Sequence, residues 1–316
     1  MGRVMLRLIS RPSILFIASF SFIVSASEPR QSKVIPQLSD ALLDSYDRLL
    51  PLDGGSNFRD LGGYSTIDGH QVRRGLLFRS GSMGSLTDHD MEYLDAFGFD
   101  TVVDLRSREE IELTPNLWAV NSGIDYDAID YSLSALIESQ PLRTESGRLD
   151  TEEMLSNMGM LYRDLAQSIK PQLRVLFQHL LRGNVPIVVN CSAGQDRTGV
   201  ATALLLTALG VPRALILDDY LLSTRFRKLE NERSIFSINE LENYAETNFY
   251  AEILLSSLKE DAMQEANPLY TQRRVPYLQF AFNSIEETYG SVMNYLDAEL
   301  NIGKQEIEYL RETYLQ

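Results

Sequence analysis

The stretch from Val185 to Leu209 constrains the fold more than any other part of the chain. Val185 to Val189 carries a proline at its second position and then three β-branched apolar residues, the composition of a central strand covered on both faces. Asn190-Cys191-Ser192-Ala193-Gly194-Gln195-Asp196-Arg197-Thr198-Gly199 follows directly. Thr198 to Leu209 is then apolar nearly all round and is ended by Gly210 and Pro212, which predicts a buried helix. One short loop therefore joins a buried strand to a buried helix. In open parallel sheets such a loop is where ligands bind, and the helix start that it feeds favours anions.

The flanking sequence fits the same architecture. Val72 to Phe78 reads as a strand, and Thr87 with Asp90 three residues on predicts a capped helix stopping at Gly98. Thr101 to Leu105 is a second strand, Ser107 with Glu110 a capping box at the start of a short helix, and Ile124 to Ile129 a third strand. Helices are expected from about residue 150 to 169 and from Pro171 to Leu181. This alternation predicts an α/β fold with a central, mainly parallel sheet flanked by helices.

No Pro/Gly/Ser-rich linker divides the middle of the chain and no fixed-period repeat is visible, so residues 49–316 are read as one domain. Residues 27–48 read as a lead-in. Between about 224 and 275 lies a charged insertion with helical spacing at Tyr250, Ile253, Leu254 and Leu258, preceded by Ile235, Phe236 and Ile238.

Residues 1–26 have the pattern of a secretory signal, with Arg3, Arg7 and Arg11 ahead of the low-polarity run Ile14 to Val24 and small residues at 25–27. That run has 11 residues, short of the roughly 20 of a spanning helix, so no stable membrane span is expected once the segment is removed. The expected location is outside the cytoplasm, periplasmic or secreted. Removing the segment deletes three arginines and no acid and takes the net charge from −15 to −18. So acidic a surface argues against nucleic acid and anionic bilayers as partners, and any phosphate site has to be local and built from backbone.

Cys191 is the only cysteine. Its bland reading is an inert core thiol. The sharper one starts from the loop: successive backbone N–H groups at a helix start supply positive potential to a thiolate. A thiol of ordinary pKa is ionised only by a few per cent at pH 7, so full ionisation gains at most roughly 30-fold, and most of the catalysis has to come from elsewhere. The amides of Ser192, Ala193, Gly194 and Gln195, together with the bidentate fork of Arg197, can hold the equatorial oxygens of a transferring phosphoryl group.

The chain resembles the bacterial tyrosine and phosphoinositide phosphatases within the Cys-x5-Arg phosphatases. The resemblance rests on the Cys191 to Gly199 loop, Asn57-Phe58-Arg59-Asp60-Leu61-Gly62-Gly63-Tyr64, Leu77-Phe78-Arg79-Ser80-Gly81, Val103-Asp104-Leu105-Arg106-Ser107 with Glu110, Asp219-Tyr220-Leu221 and the Tyr289-Gly290-Ser291 region, in order over roughly residues 50 to 315. It implies a phosphatase fold with a helical lid drawn from the insertion. It also implies Cys191 as nucleophile, Arg197 as phosphate clamp, Asp196 as general acid, Thr198 as hydrogen-bond partner of the leaving thiolate, and no metal or other cofactor. The substrates implied are phosphorylated proteins, phosphotyrosine first, or phosphoinositide lipids.

Several alternatives stand beside that reading. Asp104, at the carboxyl end of its strand, is a second candidate for the acid, against a pairing or capping role beside Arg106. Asp196 could instead pair structurally with neighbouring Arg197. Arg59 and Asp60 read first as turn-fixing residues ahead of Gly62 and Gly63, with Arg59 kept as a candidate substrate contact. The insertion is either a lid or a helical pair packed permanently on the surface. Where the family carries histidine and lysine, this chain has Asn190 and Gln195, which predicts a weaker positive potential beside the thiolate and favours phosphotyrosine over polyphosphorylated lipids. A Walker loop is excluded by Val200. His70, His89 and His179 show neither metal-ligand spacing nor a protease partnership with Cys191. A phosphate-binding module without turnover is the alternative of another class. Oligomeric state is not encoded in these features.

Overall fold

The computed structural model describes residues 33–133, 158–233, 236–259 and 266–316, and side chains are described for these except residues 233 and 257–259. The expected signal segment, the first part of the helix expected from 150, and Ile235 lie outside the described residues.

Five short strands form one sheet: β1 (Arg59–Asp60), β2 (Leu77–Ser80), β3 (Thr101–Asp104), β4 (Asp125–Ala128) and β5 (Ile187–Asn190), in the order β1-β2-β5-β3-β4. Only β1 runs antiparallel, against β2; the other pairings are parallel, as the alternating pattern predicted. The strand expected from Val72 begins only at Leu77. Gly75 takes a φ of +77° and donates its amide to Asp60 Oδ2, so extended backbone cannot pass through it, and Val72 makes only an isolated bridge to Leu315.

β5 is the central strand, and its alternation sorts the two cores. Ile187 and Val189 face a large aliphatic cluster, and Val188 faces an aromatic one built from Phe58, Phe78, Phe97, Phe99 and Trp118. Burial on both faces explains why a run without polar alternation forms this strand. Both predicted helix starts are present, each as a capping box: Thr87 with Asp90 starts α1 (Asp88–Asp95), and Ser107 with Glu110 starts α2 (Arg108–Leu113). α3 (Met158–Ser168) and α4 (Lys170–Arg182) precede β5, and α5 (Arg197–Ala208) follows the loop with ten of its residues buried.

Beyond α5 come α6 (Arg213–Phe226), then α7 (Leu229–Arg233), α8 (Ile238–Tyr244) and α9 (Phe249–Lys259) of the insertion, and α10 (Tyr277–Tyr289) of the carboxyl half. The insertion is helical as predicted. Leu241, Ala251 and Leu254 pack on Leu113 of α2, and Asn248 Nδ2 donates to the Glu109 carbonyl at 2.9 Å. Among the described residues no helix is long and apolar enough to cross a membrane.

Candidate active site

β2, β3 and β5 end level, with Asn190 in register with Ser80 on one side and Asp104 on the other. The Cys191 to Asp196 loop starts from that edge and winds into α5. Its carbonyls are held from outside. The Ser82 amide donates to Ser192 O at 2.8 Å, Asn57 Nδ2 to Ala193 O and Gly194 O at 3.1 and 2.9 Å, and Arg79 Nη2 to Gly194 O at 2.6 Å. In a trans peptide the N–H points opposite to the C=O. Anchoring these three carbonyls therefore turns the amides of Ala193, Gly194 and Gln195 inward. Glycine is required at 194 because φ is +62° and a Cβ would lie 2.4 Å from Ser80 backbone.

The anchoring groups come from the amino-terminal signature blocks. Arg59 and Arg79, both 0 % exposed, share Asp219 of α6: Arg79 Nη1 meets Asp219 Oδ2 at 2.7 Å and Arg59 Nε meets Oδ1 at 3.1 Å. This corrects the candidate substrate contact. The guanidinium of Arg59 is spent on Asp219, Asn57 and Ser223 behind the loop and has no face left for a ligand. Asp60 keeps its turn-fixing role, accepting from the Gly62 and Gly75 amides at 2.7 and 2.8 Å.

Cys191 is buried and free at the loop entrance, and the Arg197 guanidinium interacts with it electrostatically. Glu110 fixes that guanidinium as a fork, Nη2 to Oε1 at 2.5 Å and Nη1 to Oε2 at 2.7 Å, with Tyr131 OH at 2.7 Å and Leu105 O at 3.2 Å completing the set. Glu110 also accepts from Ser192 Oγ and from the Ser107 amide. Burial disfavours its charge, yet Arg197 and these donors outweigh burial and hold its pKa at about 2. The capping-box glutamate thus also orients the Arg197 guanidinium, a second role that its local pattern does not announce.

Asp196 is not the partner of Arg197. Its Oδ1 accepts from Tyr162 OH and, at 3.3 Å, from Gln195 Nε2. Thr198 Oγ1 is buried and has no protein partner among the described residues. Asp104 is 1 % exposed, and its oxygens are taken by Arg106 at 2.7 to 3.0 Å and by Tyr126 OH at 2.8 Å, so the pairing role is the one its geometry carries. Asp104→Asn is expected to lower stability by about 3 kcal/mol, since it breaks a buried pair, while the alkaline limb of the pH–rate profile stays in place. Chemical denaturation and a kcat–pH profile check both halves.

Gln195 Oε1 accepts from Arg227 Nη1 at 2.8 Å, and Arg227 is paired in turn with Glu232 at 2.6 Å. A cation therefore stands beside the uncharged Gln195. It arrives from the end of α6, where nothing local in the sequence marks it. From α9, Tyr250 brings its hydroxyl to Ser192, and burial pushes that hydroxyl's pKa up to about 12.

Among the described residues, Asp125, Asp127 and His179 are grouped closely enough to share an ion, a grouping that sequence spacing did not reveal. They lie on the edge strand β4 and on α4, away from the loop; His179 Nε2 contacts Asp127, and its Nδ1 contacts Asn184. None of the loop residues belongs to this group.

Comparison with known proteins finds relatives named as phosphatases. A protein of Cupriavidus necator, whose name gives tyrosine-protein phosphatase as a provisional assignment, is 29 % identical over 89 % of this chain and 94 % of its own length. The triple specificity protein phosphatase PtpB of Mycobacterium tuberculosis is 30 % identical over 78 % of this chain and 91 % of its own. A tyrosine-protein phosphatase of Nostoc commune is 30 % identical over 47 % of this chain and 48 % of its own. The family model described as the tyrosine phosphatase family matches residues 50–316, the span that holds the loop, its anchors and Arg197, and the chain belongs to that family.

Proposed function

We propose that the chain hydrolyses phosphate monoesters, protein phosphotyrosine foremost, through a cysteinyl-phosphate intermediate. The observation that carries this reading is the placing of a lone thiol and a guanidinium in one loop whose carbonyls are tied outward and whose arginine is held as a fork by a buried glutamate. Cys191 Sγ attacks phosphorus as the bond to the leaving oxygen breaks, and Asp196 gives that oxygen its proton. The loop amides from Ser192 to Gln195 and Arg197 hold the three equatorial oxygens. Water, deprotonated by Asp196, then attacks phosphorus and expels the thiolate, toward which the Thr198 hydroxyl is free to turn. The residues used complete the cycle without a metal.

A second reading, a phosphoinositide or other lipid substrate, draws on Arg227 beside the loop and on a relative named for triple specificity. The pattern of residues 1–26 supports action outside the cytoplasm. Rapid acid quench of turnover followed by peptide mass spectrometry is expected to find phosphate on Cys191. A panel of phosphotyrosine, phosphoserine and phosphoinositide substrates at fixed pH is expected to rank phosphotyrosine first. A quench that never yields the adduct would remove the covalent route.

A further inference from the structure

We propose that Tyr162 and Tyr220 are positioning residues for the acid, forming a chain of two buried hydroxyls that fixes the proton of Asp196 on Oδ2 and stabilises the carboxylate left after transfer. The inference rests on Asp196 being the general acid. Both tyrosines are 1 % exposed, Tyr162 on α3 and Tyr220 on α6. Tyr220 OH donates to Tyr162 OH at 2.7 Å, and Tyr162 OH donates to Asp196 Oδ1. Once Asp196 has given up its proton, the direction is fixed by valence. Each hydroxyl has one proton, and an ionised carboxylate only accepts, so Tyr162 must give its proton to Asp196 and receive that of Tyr220.

Gln195 closes the argument. Arg227 donates to its Oε1 at 2.8 Å, which turns Nε2 toward Asp196 Oδ1 at 3.3 Å. Oδ1 therefore faces two donors, and the acid's own proton is confined to Oδ2, the oxygen left for the leaving group. When Oδ2 gives up that proton, the new charge is met by a donor that is itself polarised by a second hydroxyl. Packing alone does not explain the pair: Tyr162 sets its ring against Tyr277 of α10 and Tyr220 at centroid distances of 5.9 and 6.0 Å, contacts that phenylalanine would also make, whereas buried hydroxyls are costly unless bonded. The other charged group that interacts with Asp196 is Arg227, itself paired with Glu232.

The test is kcat against pH for wild type, Tyr162→Phe, Tyr220→Phe and Asp196→Asn, each with phenyl phosphate and p-nitrophenyl phosphate. Loss of a charge-assisted hydrogen bond raises the acid's pKa, so Tyr162→Phe is expected to move the alkaline limb up by about one pH unit. It should slow phenyl phosphate about tenfold and the better leaving group less than about threefold. Tyr220→Phe keeps the bond to Asp196 and should move the limb the same way by a smaller amount, which preserves the test if Tyr162→Phe does not fold. An unmoved limb with both substrates slowed equally would show a purely structural pair and overturn the inference. Persistence of the limb in Asp196→Asn would instead remove the acid assignment itself, and the inference with it.

Discussion

Cys191→Ser is expected to abolish turnover, by about four orders of magnitude or more, while leaving oxyanion binding almost untouched. The loss is large because a serine hydroxyl is not ionised near neutral pH, and in the attacking step Asp196 carries the proton meant for the leaving oxygen and so cannot also serve as the base. Binding survives because the groups that hold an oxyanion are peptide amides and Arg197, and their anchors at Asn57, Arg79 and Glu110 do not involve sulfur. Tungstate, which needs no bond to sulfur, is expected to bind wild type and variant within about threefold. Isothermal titration and an aryl phosphate assay on the same preparations give both numbers. Equal and low hydrolysis by the two proteins, with tungstate bound by each, would identify a phosphate-binding module in place of an enzyme.

The centre of this site was legible in the sequence because one segment carries all of its instructions. β-branched residues specify β5, the apolar stretch after Thr198 specifies α5, and the only cysteine falls between them. The supporting shell was not legible, for a physical reason. Arg79, Asp219, Tyr162 and Arg227 act through contacts across 32 to 160 positions of sequence, and no local periodicity marks which distant partner a buried polar group meets. The Asn57 and Arg79 blocks are recognisable in the sequence, but their role is not. In the structure they are the tethers that turn the loop carbonyls outward. Gly75 shows the converse limit: the apolar pattern around it reads as one strand, and a single positive φ divides it.

The departures at Asn190 and Gln195 also change meaning with distance. Gln195 gives up a cation of its own but binds one from α6, and in doing so points its amide at Asp196. Gln195 thus leaves the charge on Arg227, outside the loop, and adds a donor beside Asp196. Arg227 is itself paired with Glu232, which Ser56 also touches at 2.7 Å, so the loop is linked through this pair to the start of the insertion.

Glu110→Gln is expected to lower kcat/KM by about two to three orders of magnitude and to change how stability depends on pH. The kinetic loss follows from geometry. An amide offers Arg197 one neutral acceptor where the carboxylate offers two charged ones, so the guanidinium, whose remaining N–H groups would meet phosphate oxygens, loses its fixed orientation. The stability effect has a definite sign. In the folded protein the pKa of Glu110 is depressed from its ordinary 4.5 to about 2, so its contribution is complete above pH 4.5 and is lost as pH falls toward 2. Integrated over that window it is worth roughly 3 kcal/mol, in line with the cost of leaving a buried arginine unpaired. Urea denaturation curves of wild type and Glu110→Gln should therefore lie about 3 kcal/mol apart at pH 7 and converge between pH 4.5 and the acid limit of folding. Activity measured well below the unfolding transition keeps the kinetic loss separate from the stability loss. Parallel stability curves across that window would show that the Glu110 carboxylate and Arg197 are not coupled as the structure has them, and the clamp would then need another explanation.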